Sequence, residues 1–275
     1  MSLLDPKERS ERGERQQCSV LAAPAAAPRT LYESAWRDYI FAEIWARPGL
    51  DLRARYLITF ASAATAETPA ELLDGYVRGA LQQGELSLSE LREVALHIAI
   101  YGGWSRGAIL DAAITRVAAA LQLPAADYAP LRGEPWDPQQ RLRDGAESFK
   151  NVMTFSGPPP FGAYFEGGIL NFVFGEAWER PGLDQRSRRW LTLVGVADSS
   201  ADMPIRTHVY AAMASGNASF DEMNEFVLQY AVHSGWPRAS FVQSVVFDMA
   251  EKVKKGLLWD GKPLPTPNPE QPRGE

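Results

Sequence analysis

A fifteen-residue block, FAEIWARPGLDLRAR from Phe41 to Arg55, returns as FGEAWERPGLDQRSR from Phe174 to Arg188, with ten positions identical and a displacement of 133 residues. The match continues beyond it at a displacement of 132, where Val77, Gly84, Ser87, Glu90, Glu93, Gly103, Trp104 and Arg106 return as Val209, Gly216, Ser219, Glu222, Glu225, Gly235, Trp236 and Arg238. One residue has therefore been lost between Arg188 and His208, most simply in a loop near Ala201, where a deletion does not rotate a packed helix face. A chain of 275 residues that repeats itself in this way folds as two copies of one module rather than as one large domain.

The module reads as helical. In ELREVALHIAIY, Leu91, Val94, Ala95, Ile98 and Tyr101 follow the spacing of one buried helix face, and Met223, Phe226, Val227, Tyr230 and His233 repeat it in EMNEFVLQYAVH. Ser87 with Glu90 and Ser219 with Glu222 have capping-box spacing, and a glycine break, GGW or SGW, follows each helix. Earlier in each copy an aromatic-rich helix stops at RPGL, and Asp51 or Asp184 is placed to cap the next helix. No segment alternates as a strand does, so the expected fold class is all-α, two tandem helical-bundle modules of about five or six helices each.

The expected divisions are a mobile arm over 1–31, a first module over 32–123, a linker over 124–138, a second module over 139–256 and a proline-rich extended tail over 257–275. The arm reading rests on alternating charges followed by AAPAAAPRT. A single cysteine, Cys18, excludes an intrachain disulfide or a CxxC redox pair. A net charge of −6 without a basic stripe argues against nucleic acid, and no apolar run is long enough to span a membrane. The expected ligand is a small molecule and the expected location cytoplasmic.

GEAWERPGLDQRSRRWLTLV, followed by HVYAAMASGN and EFVLQYAVHSGWPRA, resembles the carboxymuconolactone decarboxylase family, with FAEIWARPGLDLRARYLITF, YVRGALQQGE and ELREVALHIAIYGGWSRGA as the first-half equivalents. The resemblance implies an all-α module of the alkyl hydroperoxidase D-like type that assembles as rings, so a tandem chain forms a homotrimer of pseudo-hexameric symmetry. It implies a cofactor-independent decarboxylase acting on a carboxylated lactone or a related acidic intermediate of aromatic-compound degradation. Alternatives are a lactone isomerase or hydrolase on the same frame and a non-catalytic ligand-binding or scaffolding ring. The family's thiol peroxidase chemistry does not carry over, because neither module holds a cysteine.

The candidate catalytic residues are His208, Glu176 and His233. His208 matches the family's histidine and has Tyr76 as its first-half counterpart; His233 lies on a buried stripe where the first half has Tyr101. His97, four residues after Glu93, reads as a solvated ion-pair partner on a polar face. Glu43 and Glu176 sit in apolar helices and require cations, for which Arg53 and Arg55 or Arg186 and Arg188 of the next helix are the expected partners. Arg186 and Arg188, with Tyr76, Arg78 and Trp236, form the expected substrate-binding set. With both inward imidazoles in the second copy, the chemistry is expected in or beside the second module.

Overall fold

The computed structural model describes residues 4–65 and 67–264. Each module is six helical segments in the same order. The first comprises α1 (Pro6–Leu21), α2 (Leu31–Ala35) running directly into a π-helix π1 (Trp36–Trp45), α3 (Leu52–Ala63), α4 (Ala70–Gln82), α5 (Leu88–Gly102) and α6 (Trp104–Ala120). The second comprises α7 (Pro138–Met153), π2 (Tyr164–Ala177, again a π-helix), α8 (Gln185–Ser199), α9 (Asp202–Ala214), α10 (Phe220–Ser234) and α11 (Trp236–Lys254). Among the described residues the only β-pairing is an isolated bridge between Leu257 and Pro263.

The helix boundaries follow local chemistry. Asp51 and Asp184 cap α3 and α8, each accepting at 2.7 Å from the amide three residues on. Ser87 and Ser219 form complete capping boxes with Glu90 and Glu222 at α5 and α10. Gly103 and Gly235, at φ 97° and 86°, take the left-handed conformation that turns each of these helices into the next. Residues 64–69 separate α3 from α4, whereas only Ser200 and Ala201 separate α8 from α9.

Residues 6–21 are not a mobile arm. They form α1, capped by Asp5 as α7 is capped by Asp137. Gly13 of α1 and Gly145 of α7 allow the same close crossing, since a Cβ would stand 2.2 Å from the Arg37 carbonyl oxygen in one case and 1.9 Å from that of Leu170 in the other. Tyr56 then ties α1 down by donating to the Val20 carbonyl at 2.8 Å. The duplicated unit thus includes this helix, and Arg9 and Arg141, which share its register, reach Glu43 at 2.5 Å and Glu176 at 3.7 Å.

The two modules interlock. α5 packs on α8 of the other module, α10 packs on α3, and α3 and α8 pack on each other. One continuous apolar core runs from Val20 through Phe60 and Leu91 to Trp190, Phe226 and Met249. The clamps across this seam are written twice. Arg47 and Arg55 hold Glu225 at 2.5 and 3.0 Å, while Arg180 and Arg188 hold Glu93 at 2.6 and 3.6 Å. The expectation that Arg55 and Arg188 pair with Glu43 and Glu176 is therefore corrected, because each arginine serves the opposite module's glutamate. Between the modules the chain from 121 to 137 lacks long regular structure and lies on this seam, where the Ala129 and Pro130 carbonyls accept from Arg180 at 2.5 and 3.1 Å. Residues 265–275 of the expected proline-rich tail lie outside the described residues.

Candidate functional site

Because α5 and α10 cross to the opposite module, the position of Tyr101 meets that of His208, and the position of His233 meets that of Tyr76. Each histidine is paired with a tyrosine from the other module: the His208 and Tyr101 ring centroids are 5.6 Å apart, and His233 Nε2 lies 3.2 Å from the Tyr76 hydroxyl. The two clusters are related by the duplication and differ in what surrounds the pair. Neither belongs to one module, since each takes its histidine and its tyrosine from different copies.

Around Tyr101 and His208 stand Arg189, His97, Trp178 and Thr192. Arg189 is 0% exposed, and among the described residues no carboxylate pairs with it. Its guanidinium donates to the Val152 carbonyl at 2.6 Å and to Asn217 Oδ1 at 3.4 Å, lies 3.5 Å from His208 Nδ1, and covers the Trp178 ring at 5.0 Å. Guanidinium only donates, so His208 Nδ1 is the acceptor there and the imidazole proton resides on Nε2. Tyr101, half-buried, accepts from Trp178 Nε1 at 2.8 Å. His97 Nε2 lies 2.8 Å from the Thr192 hydroxyl and its ring packs against both Tyr101 and Trp178. His97 is 1% exposed, not solvated, which corrects its reading as a surface ion-pair partner. Residue 97 faces inward because α5 is covered on two sides, by α6 and by α8 of the other module.

Burial sets the protonation states. It pushes His208 down to about 3, with the Arg189 charge adding to the effect, and holds His97 well below the ordinary histidine value. It raises Tyr101 to about 12, against the hydrogen bond from Trp178, and lowers Arg189 to about 10. At neutral pH the cluster is therefore two neutral imidazoles and a phenol beside one cation. A fully buried guanidinium without a counter-charge is costly to keep, so its surroundings mark a candidate site.

The sister cluster lacks that cation. Tyr56 stands in place of Arg189 and Gln229 in place of His97, with Gln229 donating to Thr59 at 3.1 Å and accepting from Arg55 at 3.0 Å. Burial lowers His233 to about 4 and raises Tyr76 well above the usual phenol range.

The other expected residues fall elsewhere. Glu176 accepts from the Arg132 backbone amide at 2.7 Å and pairs with Arg141, with no bond to His208, so it does not set that imidazole's protonation. Arg186 pairs with Asp51 and Glu222, each at 2.8 Å, and Arg188 is taken by the Glu93 clamp. Neither is free for a substrate. Arg78 donates to the Leu21 carbonyl at 3.3 Å, and Trp236 is 47% exposed beside Tyr39. Arg189 was the missed residue, and its signal lay in the repeat itself: it is the arginine that has Tyr56 as its counterpart at the start of an apolar run. Among the described residues no group of three or more His, Cys, Asp or Glu side chains is placed to hold a metal ion, and no helix is long and apolar enough to cross a membrane.

A family model described as the carboxymuconolactone decarboxylase family matches residues 31–115. The 4-carboxymuconolactone decarboxylase of Acinetobacter baylyi is 30% identical over 126 residues, 43% of this chain and 90% of that relative. The chain belongs to this family. A second relative, the nitrosuccinic acid decarboxylase of Metarhizium robertsii, is 34% identical over 88 residues, 30% of this chain and 61% of its own length, so the chain spans less than two thirds of it. The shared family agrees with the all-α modules seen here.

Proposed function

We propose that the chain is a decarboxylase of a small carboxylic acid that carries its own electron sink, and that the reaction takes place at the Tyr101–His208 cluster. The observation that carries this reading is Arg189, a fully buried cation with no carboxylate, bordered by His208 and close to Tyr101. The names of the two relatives support the reaction class. A conjugated lactone carbonyl or a nitro group can accept the electron pair released with carbon dioxide, and such substrates require no further cofactor for that step.

In the proposed step the carbon–carboxylate bond breaks, its electron pair moves through the conjugated system to the sink oxygen, carbon dioxide leaves, and carbon is then protonated. A cation at the reacting carboxylate would stabilise the starting state; a cation at the sink oxygen stabilises the charge as it arrives. Arg189 is assigned to the sink oxygen, with the His208 Nε2–H as the second donor. Tyr101, whose oxygen is engaged by Trp178 and whose own proton is retained to about pH 12, is assigned to protonate carbon. Trp178 and Thr192 hold Tyr101 in place. The half-buried Tyr101 is the side from which substrate enters.

The test is a mass-balance screen of γ-carboxylactones and nitro-substituted dicarboxylic acids with the full chain. Loss of carbon dioxide supports the proposal, whereas gain of water or an unchanged mass identifies a hydrolase or an isomerase instead. With a substrate in hand, Arg189→Gln is expected to lower kcat about 10²–10³-fold with a smaller change in KM, the pattern of a charge met in the transition state.

A further inference from the structure

The sister cluster opens on a cavity of about 520 Å³ between the modules, lined among others by Tyr32, Trp36, Arg106, Asp198, His233 and Arg238. We propose that this cavity is a second ligand site, which binds a small flat carboxylate and does not react it. It sits where the duplication places the counterpart of the reacting cluster, but Tyr56 and Gln229 there supply neither the buried cation nor the second imidazole. A ligand held here lacks the buried guanidinium and second imidazole that border the reacting cluster.

The lining selects the ligand class. Tyr32 and Trp36 stack with centroids 6.0 Å apart and planes 17° from parallel, and Trp36 meets the His233 ring edge-on at 5.7 Å. Together they form an aromatic wall for a flat body. Arg106 and Arg238 hold equivalent places in the two modules and both reach Asp198. Asp198 is engaged by Arg106, by the Tyr230 hydroxyl at 2.7 Å and by Ser234 at 3.4 Å, while Arg238 lies 3.7 Å away with its side chain 56% exposed. Arg238 is thus the cation with donors to spare, whereas the carboxylate oxygens are already taken. Glu67 also borders the cavity, where it is exposed to solvent screening.

Among the described residues the sister cluster also leaves a buried donor unmet. Trp178 Nε1 is satisfied by the Tyr101 hydroxyl, but its counterpart Trp45, 2% exposed, has no partner for Nε1. Histidine at 233 is shorter than tyrosine and brings no oxygen to that place.

The experiment is calorimetric titration of the full chain with sodium benzoate at fixed ionic strength, with benzylamine as the cationic comparison. One saturable benzoate site is expected, weakened about tenfold or more in Trp36→Ala and in Arg238→Gln, unchanged in Arg189→Gln, and with no matching site for benzylamine. Arg238 is exposed, so its variant remains informative if Trp36→Ala fails to fold. Absence of a saturable benzoate site overturns the proposal. So does binding that survives Arg238→Gln and is lost in Arg189→Gln, which would put benzoate in the reacting cluster, or preferential binding of benzylamine. The inference does not depend on decarboxylation, because the titration reads binding alone.

Discussion

At the scale of single residues, the electrostatics of the two clusters separate their roles. Arg189 is a cation that the protein keeps buried among neutral groups, and its removal tests catalysis more than folding. His208→Ala is expected to lower turnover about 10²-fold or more, and Tyr101→Phe by a similar factor, with the oligomeric state unchanged by size-exclusion chromatography. The same burial makes stability depend on pH. His208 and His233 have folded-state values of about 3 and about 4, below the 6.5 of a free histidine. Between those values the unfolded chain binds protons that the folded chain refuses, so the imidazole contribution is fully present above about pH 6.5 and is lost as pH falls toward 3. Denaturant midpoints should therefore drop from pH 7 to pH 5, and His208→Gln should flatten that drop; an identical pH slope in the variant would contradict the assignment. His208 and Tyr101 were both legible as inward positions in the sequence, through helix periodicity. Arg189 was not singled out, because an arginine in RSRRWLTLV looks like one more member of a charged turn until its neighbours in space are known.

At the scale of elements, the duplicated clamps bind each module to its twin. Glu93 has a 4% exposed side chain and serves two buried arginines. Glu93→Gln leaves uncompensated charge at the seam and is expected to cost about 3–5 kcal/mol by denaturant unfolding. Gly13→Ala tests the docking of α1, since its Cβ would meet the Arg37 carbonyl; about 1–3 kcal/mol of destabilisation and earlier proteolytic cleavage after Leu21 are expected. The capping boxes, the RPGL turns and the glycine breaks could all be read from residue spacing, because each is fixed by contacts within a few residues. α1 could not be, since it keeps only Pro6, Arg9, Gly13 and Val20 in common with α7, too few to register against charged, low-hydropathy surroundings. The partner of each buried glutamate was also hidden. Sequence spacing shows that Arg55 and Arg188 require carboxylates, but the exchange of α5 and α10 between modules is a tertiary fact.

At the scale of the whole molecule, the duplication has produced two composite clusters from one design and allowed them to diverge. Substituting two positions, Tyr56 against Arg189 and Gln229 against His97, moves one cluster from charged to neutral while the shared frame of tryptophans and clamps persists. The large apolar core that spans both modules implies one cooperative unfolding transition, with calorimetric and van't Hoff enthalpies in agreement; two separated transitions would show that the modules fold independently. The most direct test of the account is carbon dioxide release from an accepted substrate by matched variants of the two clusters. Tyr101→Phe and His208→Ala should lose nearly all turnover, while Tyr76→Phe and His233→Ala should retain most of it. Turnover that survives in the first pair and disappears in the second would contradict the account.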